Sequence, residues 1–323
     1  MASDSSPHQW LGPFSSAAAR LPPGLRHALR LAAPDVYTVN HLLARPHFVA
    51  GHGRPPRSAQ AKDATLNDYV FERMLRGRWS ALERLCVDKQ HAKAIAATLA
   101  GVQAPPTLTV LSLFDHPSLA RIEQWLRPFV GQRAVLKPTH SSGRVMFLDQ
   151  TLDREALADF VEFSRRSLFQ KCRETQYRGL EKKLIVEANI HDPGAPMVDY
   201  KFLCSRGEIL CCDVHIDRFS DRTCALCGVP DLEILDVGYV GDKPAVAVDK
   251  PQTLPAMIAA AQALSAPFDF VRVDLYSARD QVYFGEFTFS PCAGCAPFSD
   301  EAWAVEALAW VRRSIRANQV KAS

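Results

Sequence analysis

Several things are missing from this chain of 323 residues. It has no run of about 18 apolar residues, so a membrane-spanning helix is not expected. It has no 7–15-residue apolar core of a secretory leader. There is no internal repeat and no low-complexity tract, which argues against a solenoid or a disordered polymer. There is little net charge either: 38 Lys and Arg face 35 Asp and Glu, a formal +3. That near-balance argues against a dedicated nucleic-acid binder.

What is present is a large apolar share, 47% of the residues. It is enough for a sizeable core and suggests two or three lobes. Residues 1–62 hold seven Lys and Arg against two acids, with much Pro, Gly and Ser. They read as a separate basic segment with GHGRPPRSAQ as a linker, and APDVYTVNHLLARP gives at most a helical turn or two. A basic Ser/Ala-rich start is also the composition of an organelle leader; biased base composition is the plainer reading. Nine cysteines without a secretory signal point to a reducing compartment and free thiols, with cytoplasm as the expectation.

Helical and strand patterns alternate through the rest. Helices are expected between Asp63 and Gly101, in LNDYVFERMLRGRW and in VDKQHAKAIAATLAG, over 116–130, 153–169 and 251–267, and at the C-terminus. MVDYKFLCSRGEILCCDVHIDRF and VRVDLYSARDQVYFGEFTFSP each read as two strands around a short turn. The mixture predicts an α+β or α/β class, divided as 1–62, 63–186 and 187–323.

Charges sit inside strongly apolar strands: Lys137, Glu187, Asp199, Lys201, Arg272, Asp274 and Glu286. An unpaired buried charge costs several kcal/mol, so such groups are paired or meet a ligand. Lysines with paired carboxylates suit a polyphosphate and a hard metal ion in an oxygen shell.

The stretches VDKQHAK, VLKPTHSSG, LIVEANI, VDYKFLCSRGEI, HIDRF, FVRVDLY and YFGEFTF stand in an order that resembles the TupA-like proteins of the ATP-grasp superfamily. The resemblance implies two α+β lobes clamping ATP, with a short N-terminal extension. It also implies an ATP-dependent ligase that joins a carboxylate to an amine through an acyl phosphate. Lys89 and Lys137 would contact phosphates, and Thr139, His140, Ser141, Ser142 and Gly143 would close over them. Glu187 would accept from the adenine amino group, with the backbone of Asn189 and Ile190 as hinge. Asp199 would sit at the ribose, and Lys201 at phosphate or substrate. Arg272 would stabilise the transferring phosphoryl group, and Asp274 and Glu286 would hold Mg²⁺. Thr288 stands where relatives often carry Asn, so it is the third candidate ligand. SPCAGCAPF replaces the glycine-rich continuation of relatives. Arg218 has three readings: contact with the acyl phosphate, a grip on the acceptor carboxylate, or a surface arginine.

Small-molecule carboxylates and amines are the expected substrates. A phosphotransferase on the same scaffold and a non-catalytic nucleotide-binding module are the alternatives. The pairs Cys224/Cys227 and Cys292/Cys295 offer four thiolates that could hold a structural zinc ion, against the reading of four small buried thiols. His215 stays unassigned, and oligomeric state is open.

Overall fold

The structure is a computed structural model that describes residues 33–191, 194, 196–218 and 220–322. The first 32 residues of the expected basic segment lie outside that range. The elements follow the amphipathic pattern. Helices α1 (Tyr37–His52), α2 (Leu66–Arg76), α3 (Ala81–Val87) and α4 (Lys89–Ala100) come first. Thr65 and Ser80 open α2 and α3 with reciprocal capping boxes through Asp68 and Glu83. Asp88 caps α4 by accepting from the Gln90 and His91 amides. Caps of this kind contribute about 1 kcal/mol each. Helix α1 runs past Pro46, longer than its composition suggests. Tertiary packing explains the excess. Phe48 is fully buried against Phe71, and the Asn40 amide donates to the Leu75 carbonyl.

The middle of the chain builds one lobe. β1 (Thr107–Ser112), α5 (Leu119–Leu126), β2 (Ala134–Pro138), β3 (Met146–Phe147), α6 (Arg154–Arg165), α7 (Leu168–Cys172) and β4 (Lys183–Ala188) follow in order. The strands form an antiparallel sheet in the order β1-β4-β2-β3. Its Ala134, Leu136, Leu184 and Val186 face α5 and α6 through Ile122, Leu126, Leu157 and Phe160. Alternation then sends Val135, Lys137, Ile185 and Glu187 to the other face.

The second lobe holds β5 (Val198–Ser205), β6 (Glu208–Ile216), β7 (Thr223–Cys227), α8 (Leu254–Ser265), β8 (Val271–Ala278), β9 (Gln281–Thr288) and α9 (Glu301–Ala322). Its antiparallel order is β7-β6-β5-β8-β9. The turns Arg206–Gly207 and Arg279–Asp280 both have positive φ at the two central residues. That matches the twist needed by two-residue hairpins. One face buries Phe202, Cys212, Val214, Val273 and Leu275 beneath α8 and the early helices α3 and α4, including Ala92 and Ala96. At one end of the opposite face, Leu203, Cys211 and Leu226 pack against α2 and α9. The other end of that face stays open to the cleft and carries the charges.

Candidate functional site

Register explains how the charges meet. Glu286 pairs with Asp274, Asp274 with Lys201, and Lys201 with Asp213, so one row of side chains crosses β9, β8, β5 and β6. Arg272 and Thr288 lie beside it on β8 and β9, and Asp199 and His215 on β5 and β6. Asp274 is 1% exposed and accepts three charge-assisted hydrogen bonds. Arg272 donates to both of its oxygens at 2.7 and 2.8 Å, and Lys201 Nζ lies 2.9 Å from Oδ2. Lys201 also reaches Asp199 at 3.3 Å, where Arg218 lies at 3.4 Å. Glu286 lies 2.9 Å from Lys89 and 3.5 Å from Arg272. The Thr288 hydroxyl accepts from Arg272 at 3.1 Å and donates to Glu286 at 3.4 Å.

Burial pushes the Glu286 carboxyl up, but Lys89, Arg272 and Lys201 more than reverse this and hold it well below the usual range. Asp199 behaves in the same way, with Lys201 and Arg218 outweighing burial. Arg272 is raised: burial opposes its charge, and Asp274 outweighs burial.

The first lobe supplies the other wall. Lys89 opens α4, and its Nζ donates to the Ser141 carbonyl at 2.7 Å. It thereby ties the loop after β2 to Glu286. In that loop Thr139 donates to Asp88 at 3.0 Å, and Gly143 holds φ +93°, a conformation natural to glycine. His140 is buried. Its Nδ1 accepts from the Lys183 amide, so Nε2 carries the proton and donates to the Ser164 carbonyl. Burial pulls its pKa down to about 4. His140 therefore buttresses the loop as a neutral ring. Ser141 Oγ is buried with no hydrogen-bond partner.

Glu187 is clasped by Lys93 at 2.5 Å and Lys137 at 2.8 Å. Burial opposes its charge, and the two lysines outweigh that to keep the carboxyl below its ordinary value. A small cavity of about 70 Å³ brings Lys89, Lys137, Ser141, Ser142 and Gly143 together with Asn189, Ile190, Asp199, Arg218 and Glu286. Glu187 lies behind that wall. A second cavity of about 620 Å³ shares Ser142, Gly143, Arg218 and Glu286 with it, and extends past Lys201, Asp213, His215, Arg272 and Thr288 to α1.

Three contributors escaped the sequence reading. Lys93 lies one turn after Lys89 on the same helical face, a spacing that could have revealed it. Asp88 is the cap that also braces the loop. Asp213 alternates with His215 on β6, and period-2 patterning marks both for one face.

The zinc expectation is corrected. Among the described residues no three His, Cys, Asp or Glu side chains cluster as a metal would need. Cys224 and Cys227 are three apart on a strand and so face opposite sides. Cys227 is in the core, while Cys224 donates towards Asp242. Burial pushes the Cys227 thiol up to about 11 and also raises Cys224 and Cys295. The CAGC turn instead docks the N-terminal helix. A Cβ on Gly51 would lie 2.1 Å from the Cys295 carbonyl oxygen, and one on Gly294 2.7 Å from that of Asn67.

With this geometry described, the comparisons give the class. The family model of the TupA-like ATP-grasp proteins matches residues 70–306. The chain belongs to that family, and its two-lobed α+β architecture is the ATP-grasp fold. No curated protein matches it. Among solved structures it is similar to the ATP-grasp ligase PsnB complexed with a minimal precursor, at 12% identity and a TM-score of 0.37. That match covers 72% of this chain and 62% of the PsnB chain, which is under two thirds of it. It is also similar to D-alanine–D-alanine ligase from Bacillus anthracis, at 16% identity, a TM-score of 0.38, and coverage of 73% and 69%. The corresponding ligase from Helicobacter pylori gives 15%, 0.40, and coverage of 70% and 61%. Among the described residues no helix is long and apolar enough to cross a membrane.

Proposed function

We propose that this chain is an ATP-dependent ligase that joins a carboxylate to an amine through an acyl phosphate. The observation that supports it best is the junction of two cavities at Glu286 and the Ser142–Gly143 loop. The smaller, at about 70 Å³, has the lysines and loop hydroxyls of a phosphate site and would have to widen to admit a whole nucleotide. The other is far larger and holds the rest of the charged row, as a reaction with a second, sizeable substrate requires.

The roles follow from chemistry. Lys89 and Lys137 neutralise phosphate oxygens, and the orphaned Ser141 hydroxyl offers the loop a further phosphate contact. Asn189 and Ile190 border the base and Asp199 the ribose. Glu187, behind the cavity wall, holds Lys137 in place for the phosphates and ties it to Lys93. The carboxylates of Asp274 and Glu286 and the Thr288 hydroxyl form an all-oxygen set that fits Mg²⁺, which would supply charge neutralisation at the phosphates. Arg272, fixed by two bonds to Asp274, meets charge that builds on the moving phosphoryl group. Lys201 and Arg218 orient the acceptor carboxylate.

The test is ADP release across pools of carboxylates and amines, with mass analysis of products. A condensed product carrying an amide supports the ligase. A stable phosphorylated product would make the chain a phosphotransferase. ATP binding without ADP release in any mixture would make it a nucleotide-binding module.

A further inference from the structure

Asp213 is a buried acid that the roles above leave unused. It is 3% exposed, and its Oδ2 accepts from His215 Nε2 at 3.0 Å. Its other oxygen, Oδ1, has no hydrogen-bond partner. A buried acceptor left so costs about 1–3 kcal/mol, and native proteins rarely keep one without a use. A pair serving only to brace β6 would have both oxygens satisfied. Both residues line the large cavity, in company with Lys201, Arg272 and Glu286. Asp213 remains an anion: burial opposes its charge, but His215, Lys201 and Arg272 outweigh burial and hold its carboxyl below the ordinary value.

The hydrogen bond fixes the tautomer. Nε2 carries the proton towards the carboxylate, which leaves a lone pair on Nδ1. An acid that orients an imidazole in this way is the arrangement of a general base.

We propose that Asp213 and His215 form the site for the attacking amine, which is a primary ammonium group when it arrives. This rests on the ligase reading above. Asp213 Oδ1 accepts an N–H of the ammonium, and His215 Nδ1 takes one of its protons. The freed nitrogen lone pair forms the C–N bond, and the carbon–oxygen bond to phosphate breaks with its electron pair on the phosphate. Of the two protons that nitrogen loses, one passes through His215 to solvent and one leaves on the phosphate. The groups facing His215 are Asp199 and Lys201 on β5, Cys224 on β7, and Arg218, Arg222 and Asp242 around the cavity.

The test is a competition in one vessel. Wild type, His215→Gln and Asp213→Asn are each given Mg·ATP, the twenty L-amino acids and hydroxylamine, and amide and hydroxamate are counted by mass spectrometry. Hydroxylamine is already unprotonated at pH 7, so its capture of an activated carboxylate needs no base. The amide-to-hydroxamate ratio should fall at least about 100-fold in both variants, the low end for general-base catalysis. An unchanged ratio in the variants, or equal loss of both products, overturns the amine site. Hydroxamate from wild type leaves the ligase standing in each of those cases. Wild type giving neither product overturns the ligase reading and this site with it.

Discussion

Two charged clusters flank the cleft, and they are built differently. Around Glu187, one acid is held by two lysines that come from different lobes: Lys137 on β2 and Lys93 on α4, a helix packed on the large sheet. Across the cleft, Asp274, Lys201, Asp199 and Arg272 come from two adjacent strands of one sheet. The first cluster is a tie between bodies, with Lys137 still partly exposed. The second is a plate set into one sheet, with its acids almost wholly buried and its open edge lining the large cavity. Connection between lobes tolerates a lost partner better than a buried plate does.

The largest expected effect follows from that contrast. Lys201→Met leaves Asp199 without its closest cation and strips Asp274 of one partner. It should cost about 3–5 kcal/mol in urea unfolding, as does breaking a buried pair. Lys93→Met, with Lys137 still on Glu187, should cost clearly less. If the order reverses, the contrast between plate and tie is wrong.

Activity should divide the clusters less sharply. Glu286→Gln and Lys137→Ala should each reduce ATP turnover by about 10²–10³-fold while unfolding stays cooperative. Normal turnover in either variant would remove that residue from the phosphate site. Titration gives a subtler difference. His140 has its pKa lowered to about 4 in the folded chain, so the unfolded chain binds more protons between about pH 6.5 and 4. Stability should therefore drop as the pH is lowered from about 6.5 to 4, by up to about 1.4 kcal/mol per unit, and His140→Gln should flatten this part of the curve. Glu187, whose folded pKa is depressed, contributes stability above the ordinary carboxylate range and loses it at lower pH. The two slopes are separable by denaturation at stepped pH. Least of all, Cys292→Ser on the exposed turn should change stability by no more than about 0.5 kcal/mol.

These clusters were legible in the sequence to different degrees. Acids and cations spaced by two within apolar strands exposed the plate, because alternation is a local property. Its row across four strands was not legible, since register between segments as distant as 201 and 274 is set by tertiary pairing. The charge of Glu187 within an apolar strand is legible, but its lysine from α4 depends on how that helix docks. The two C-x-x-C pairs suggest a thiolate cluster only until the strand that turns Cys224 and Cys227 to opposite sides is known. Helix α1 was underread since its stability lies in Phe48 and Asn40, whose partners come from elsewhere in the chain.

That same helix reaches the large cavity through Ala44 and His47, although it precedes the stretch that matches the family. On the ligase reading proposed above, part of the wall that would meet the second substrate is thus written outside the matched passage. Varying Ala44 and His47 alone, with Asn40, Phe48 and Gly51 kept for their packing, would retune that wall without touching the phosphate loop.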